Sequence, residues 1–249
     1  MNKLTTVLSQ GKSIIPFVTC GDPDLQTTAA VVHEMAAAGA DAIALGIPFS
    51  DPTAEGPVVQ GANIRALAAG TTTDRIFNFV QELRHEEKVP LVFVTYANVV
   101  FSYGAERFVG LCQKVDVAGL ILLDLPYEEK GEFQDVCDAH DVALLSMIAP
   151  TDEERIAMIA KEADGFLYAM AVTNNEDLAF AVNTARQQSE VPCIVGVPDC
   201  MPEEAQQLTA VADGILVETG IVKLVESYGK DAASHAGAAI RALKAAVNA

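Results

Sequence analysis

Two carboxylates four residues apart, Asp51 and Glu55, lie in the stretch 44–60, ALGIPFSDPTAEGPVVQ. The stretch begins as an apolar, strand-like run and breaks into a turn rich in Pro and Gly, so it reads as a loop leaving a strand. A carboxylate held in such a loop can accept or deliver a proton, and two can divide acid and base work between them. Each also has a plainer use. Asp51 before Pro52 can organise a turn, and Glu55 beside Gly56 and Pro57 can be a solvated loop acid. Asp124 ends the apolar run GLILLDL, where a carboxylate needs partners. Tyr96, closing PLVFVTY, suits either a pocket or a core position with its hydroxyl satisfied. Asp22 precedes Pro23, which makes a helix N-cap its first reading.

Other chemistries find less support. The four histidines, His33, His85, His140 and His235, fall in helical segments without metal-ligand spacing, which argues against a metal site and against histidine-based nucleophilic catalysis. No Gly-x-Ser-x-Gly elbow and no Walker loop occur. Five cysteines form no Cys-x-x-Cys pair. They read as reduced small hydrophobes and, with no apolar signal-peptide core near the start, predict a cytoplasmic protein. The net charge of −18 argues against nucleic acid and anionic membranes, which attract basic surfaces. No apolar run reaches the roughly 18 residues of a membrane span.

The elements that must position these groups recur about every 25 residues, near the length of one βα unit. Eight apolar runs are strand candidates: SIIPFVTC from Ser13, DAIALGI from Asp41, PLVFVTY from Pro90, GLILLDL from Gly119, ALLSMIA from Ala143, GFLYAMAV from Gly165, PCIVGV from Pro192 and GILVET from Gly214. They are continuously apolar rather than alternating, as parallel strands covered on both faces must be. Between them lie helical patterns. Leu25, Ala29, Val32 and Ala36 form a stripe closed by Gly39; Ile76, Phe79, Val80 and Leu83 form another; Thr151 and Glu154 suggest a capping box. A last helix is expected from about Ile221 to the end. At 249 residues, with no linker-like break, the pattern predicts one domain over 1–249, a (β/α)8 barrel of the α/β class. A doubly wound sheet is the alternative, but the Gly-x-Gly-x-x-Gly after its first strand is absent. In a barrel the loops after the strands form one mouth, so the polar groups above converge on a small-molecule pocket.

The loop that opens this reading also carries a resemblance. LGIPFSDPTAEGPVVQ, ANIRALAAGTTT, VFVTYANVVFSYGAERF, LILLDLPYEE, FVTCGDPD and GIVKLVESYGK together resemble the tryptophan synthase α subunit family over essentially the whole chain. The resemblance implies a cofactor-free barrel lyase that splits indole-3-glycerol phosphate into indole and glyceraldehyde 3-phosphate. It also implies a PLP-dependent β subunit as partner. Two carboxylates serve the family's reaction, and Glu55 matches the second. The pocket it implies includes Asp51, Tyr96, Asp124, Tyr168 and Thr173, with a phosphate gripped by turns near Gly196, Glu218, Thr219 and Gly220.

Several positions depart from that pattern. The family's first catalytic carboxylate, a Glu, falls on Ala44, and a methyl group cannot move a proton. Losing a positioned acid or base typically costs a factor of about 10² to 10⁴. After the seventh run the glycine-rich turn reads GVPDC, where Pro198 lacks an N–H and Asp199 adds charge. After the eighth, Glu218 puts a carboxylate where a phosphate is expected, although Thr219 keeps a hydroxyl. The sixth loop is short and ends in Glu176 and Asp177. Three functions follow as alternatives: a working α subunit with a substitute acid, a non-catalytic barrel that regulates a partner, or a barrel with a new, non-phosphorylated ligand.

Overall fold

The computed structural model describes residues 2–170 and 174–249. Its strands are β1 (Ser13–Thr19), β2 (Ile43–Gly46), β3 (Leu91–Thr95), β4 (Val117–Leu122), β5 (Ala143–Leu144), β6 (Ser146–Ile148), β7 (Leu167–Ala169), β8 (Cys193–Val197) and β9 (Gly214–Val217). They pair in the order β5-β4-β3-β2-β1-β9-β8-β7-β6, and every pairing is parallel. With helices between them this is a (β/α)8 barrel. The fifth expected run is split. Its first half pairs with β4 and its second with β7, so the barrel closes through Leu145, whose N–H donates to Leu120 O at 2.9 Å.

Continuous apolar strands serve two cores at once. Along β1, Ile14 and Val18 join the cluster shared with the outer helices, while Ile15 and Phe17 join the cluster inside the barrel. Burying each such side chain contributes about 1.5–3 kcal/mol, so an alternating polar strand would not hold here. Leu4 and Leu8, on the short helix Lys3–Leu8, belong to the inner cluster and close the N-terminal end of the barrel. The opposite end is left for the loops.

Four local expectations are corrected. Asp22 is not the cap of the first long helix; Asp24 is, its Oδ1 accepting from Thr27 N at 2.7 Å ahead of Leu25–Ala37. That helix buries Thr27, Thr28, Val31, Val32 and Met35, a face rotated from the expected stripe, on which Thr28 Oγ1 accepts from Gly21 N at 3.0 Å. Asp152 rather than Thr151 caps Glu153–Lys161, accepting from Arg155 N at 2.7 Å; Asp is the stronger cap of the two. The terminal helix is two helices, Thr219–Tyr228 and Ala232–Val247, parted where Gly229 takes a positive φ of 53°. Such a φ lies outside the helical range and suits glycine alone among common residues.

Candidate functional site at the barrel mouth

Where the strands end, a cavity of about 260 Å³ opens among apolar walls that include Phe17, Val94, Ile121, Leu123, Met170 and Leu216. Two carboxylates, Glu55 and Glu218, also line it, with Tyr168, Gly196, Pro198 and Thr219. Sequence reasoning singled out the polar members but not the apolar walls, which periodicity cannot distinguish from core.

Glu55 stands just before helix Pro57–Ala68, in a loop tightened by Thr53 N to Asp51 O (2.8 Å) and Glu55 N to Pro52 O (3.2 Å). Its Oε2 accepts from Asn63 Nδ2 at 3.0 Å and from Tyr96 OH at 3.4 Å. Burial lifts the Glu55 carboxyl to about 7; the hydrogen bonds from Tyr96 and Asn63 oppose the rise and the charge of Glu218 adds to it. Tyr96 therefore lies behind Glu55 as its partner, and its hydroxyl also accepts from Ala54 N at 3.1 Å. Asn63 escaped the sequence reading. Its signal is a polar residue on the buried stripe Val59, Ala62, Asn63, Ala66, and its Oδ1 accepts from Phe49 N at 3.0 Å.

Across the mouth, Tyr168 OH donates to Glu218 Oε1 in a short hydrogen bond. Burial raises the Glu218 pKa, with the Tyr168 bond opposing, and raises that of Tyr168 further beside this negative charge. Gly196 is needed for this pair: a Cβ there would lie 2.3 Å from the Tyr168 hydroxyl. The neighbouring turn is closed on itself, because Gly220 N donates to Pro198 O at 2.8 Å and Glu218 N to Val197 O at 3.1 Å. Gly220 itself does not line the cavity. Asp199 is ion-paired at 3.2 Å with Lys223, which lies within helix Thr219–Tyr228.

The remaining expected residues lie elsewhere. Ala44 is fully buried in the inner cluster, paired in register with Phe17 and Val92, and does not line the cavity. The Phe17 ring lies against Gly46, where an added Cβ would meet it at 2.5 Å. Asp51 is exposed and accepts from its neighbour Ser50 at 2.6 Å. Asp124 is exposed too, and its Oδ1 accepts from Ala97 N at 2.6 Å at the start of helix Ala97–Tyr103. Neither carboxylate reaches the cavity wall. Asp22 is buried and held by Arg65 through Nε and Nη2, both at 2.8 Å. Thr173 lies outside the described residues. Glu176 and Asp177 occupy the first turn of helix Asn175–Arg186, their N–H groups bonded to Asn174 Oδ1 at 2.9 Å. Among the described residues no group of three or more His, Cys, Asp or Glu side chains could hold a metal ion, and no helix is long and apolar enough to cross a membrane.

The family model described as tryptophan synthase alpha chain matches residues 5–248. A tryptophan synthase alpha chain from Lacticaseibacillus casei is 42% identical over 233 residues, covering 90% of this chain and 88% of the relative. One from Geobacter sp. (strain M21) is 40% identical over 246 residues, covering 95% and 92%. The crystal structure of tryptophan synthase subunit alpha from Legionella pneumophila str. Paris superposes with a TM-score of 0.91 at 32% identity, covering 100% of this chain and 99% of that one. By sequence along nearly its full length and by fold, the chain belongs to the tryptophan synthase alpha chain family.

Proposed function

We propose that this barrel, acting as one domain over 1–249, no longer cleaves indole-3-glycerol phosphate efficiently and that its mouth receives a neutral or cationic ligand without a phosphate. The observation that carries the reading is Glu218, a half-buried carboxylate held by Tyr168 where the family resemblance expects a phosphate. A dianion about 4 Å from one ionised carboxylate without a counter-ion is opposed by on the order of several kcal/mol at an intermediate dielectric. The backbone supports the same reading. Pro198 has no N–H to offer, and the Gly220 N–H is already taken by Pro198 O.

Ala44 supports it from the side of the chemistry. The parental retro-aldol cleavage needs a proton delivered to indole carbon 3 and another removed from the glycerol hydroxyl, while an acceptor holds the ring N–H. Glu55 can fill the last role, because its Oε1 accepts no hydrogen bond from the described residues and the side chain lines the cavity. Ala44, packed against hydrocarbon, can fill neither of the others. Asp51 and Asp124 would reach a ligand only from the rim. A PLP-dependent beta subunit remains the proposed partner, and Phe101, 72% exposed on helix Ala97–Tyr103, offers apolar surface for one.

A second reading keeps the parental activity, with Glu55 serving as acid and base in turn. The specific observation in its favour is the Glu55 pKa of about 7, suited to proton transfer near neutrality. Indole release from indole-3-glycerol phosphate, with and without a beta subunit, separates the two readings. A rate at least about 10²-fold below an ordinary alpha chain is expected; near-normal turnover that disappears in Glu55→Gln would establish the second reading instead.

A further inference from the structure

Among the described residues, Lys130 is the buried basic side chain that lacks an acidic partner within salt-bridge distance: it is 9% exposed. It enters from the turn Tyr127–Glu129 that follows β4. Its Nζ donates to Ser146 Oγ on β6 at 3.1 Å and to Glu162 O at 3.2 Å. Glu162 is the C-terminal cap of helix Glu153–Lys161, so its carbonyl supplies part of a negative charge but not a counter-ion. Burial lowers the Lys130 pKa, opposed by the more distant charges of Glu162, Asp138 and Asp164. A lysine ammonium carries three donors and a serine hydroxyl one. One ammonium proton and the Ser146 hydroxyl proton are therefore left without an acceptor among the described residues.

Both groups line a cavity of about 180 Å³ between the fourth and sixth strands and helix Glu153–Lys161, whose lining reaches Leu145, Met147 and Met170 of the inner cluster. Its other walls are mainly apolar, formed by Leu122, Leu144, Ile148, Ile156, Ile159 and Met170. Arg155 also lines it but is engaged by both oxygens of Glu128, at 2.6 and 3.2 Å. A dry apolar cavity of about 150 Å³ takes up benzene, so this one has room for a ring or a branched chain. Buried charges are ordinarily paired, and here the donors converge at one end of an apolar chamber.

We propose that this cavity is a second ligand site, which binds a small monocarboxylate with an apolar body. The carboxylate accepts from Lys130 Nζ and Ser146 Oγ, and the hydrocarbon part fills the chamber. A multiply charged anion would leave charge against hydrocarbon, and a neutral molecule would leave the ammonium unpaired. Met170 is a wall of both this cavity and the barrel mouth, so an occupant here presses on a side chain of the site described above.

Benzoate and its uncharged isostere benzamide are suitable probes, titrated into the full chain with isotope-labelled methionine methyl groups and followed by NMR. Met147 lines this cavity and not the mouth, while Met170 lines both. Benzoate should shift the Met147 and Met170 methyl signals saturably with a Kd of about 1 mM, ordinary for so small a ligand. Benzamide should bind at least about tenfold more weakly, since it cannot neutralise the ammonium. Lys130→Met should abolish the preference for benzoate, and Ser146→Ala, the smaller change, should weaken benzoate binding severalfold if the lysine variant misfolds. The proposal is overturned if the Met147 signal stays still, if both probes bind equally, or if benzoate keeps its advantage in the folded variants. A lysine serving only to cap the helix predicts those results.

Discussion

Replacing Glu55 by Gln should make the protein more stable, by an amount that grows as the pH rises. Burial lifts this carboxyl from the ordinary 4.5 to about 7, so the folded chain keeps a proton that the unfolded chain has already released. The stability tied to that proton is fully present below about pH 4.5 and is lost as the pH rises through 7. The gap corresponds to roughly 3 kcal/mol once the pH exceeds about 8, at ~1.4 kcal/mol for each tenfold change in proton affinity. Gln keeps a carbonyl oxygen to accept from Asn63 and Tyr96, which bond the native carboxylate at 3.0 and 3.4 Å, and it has no charge to release. Urea unfolding of both proteins between about pH 5 and 8.5 measures the effect as a difference between two curves. Glu218, whose pKa is also raised, is present in both proteins and largely cancels. The curves should lie within about 1 kcal/mol at pH 5 and separate by a further 2 kcal/mol or so by pH 8.5. Parallel curves would refute the claim that this carboxyl is desolvated in the mouth.

Ala44→Glu alone should not restore cleavage of indole-3-glycerol phosphate. It should also lower stability by more than about 1 kcal/mol, since a longer, ionisable chain would enter the inner core beside Phe17 and Val92; indole release together with a thermal melt checks both, and full rescue would contradict it. Glycerol 3-phosphate should bind weakly or not at all in calorimetric titration, and Glu218→Gly combined with Pro198→Gly should raise its affinity. No gain from that pair would place the cause in the loop after β7. Arg65→Met should destabilise the fold by about 3 kcal/mol, the usual result of stranding a buried charge, because Asp22 is 1% exposed and Arg65 holds both its oxygens. A loss below about 1 kcal/mol in denaturant titration would show that water takes over the pairing.

The barrel itself was legible in the chain because its cause is local. Runs such as PLVFVTY and GLILLDL are apolar on both faces, and the helical stripes between them leave few other ways to cover such strands. The family was legible for a similar reason, since the loop 44–60 is long and its residue order specific. What failed were choices between neighbours of similar propensity. Asp24 rather than Asp22 caps the first long helix, and Asp152 rather than Thr151 caps a later one. Tertiary partners decided the first case, with Arg65 drawing Asp22 away into an ion pair.

The site divides along the same line. From residue types came carboxylates at 55 and 218 in loops that meet at one mouth, while the reading of Ala44 as the place of a proton carrier came from the family resemblance. Only the folded chain decides which acids face the ligand. Asp51, Asp124, Glu55 and Glu218 all follow strands, yet Asp51 and Asp124 turn to solvent or to a helix end, while Glu55 and Glu218 line the cavity. The same holds for Asn63 behind Glu55, for Tyr168 against Glu218, and for Lys130 in its apolar chamber. Periodicity states which face of an element is buried. The pKa of a carboxylate, or the want of a counter-ion for an ammonium, depends on atoms brought from distant parts of the chain within a few ångströms of it, and those distances exist only once the barrel has closed.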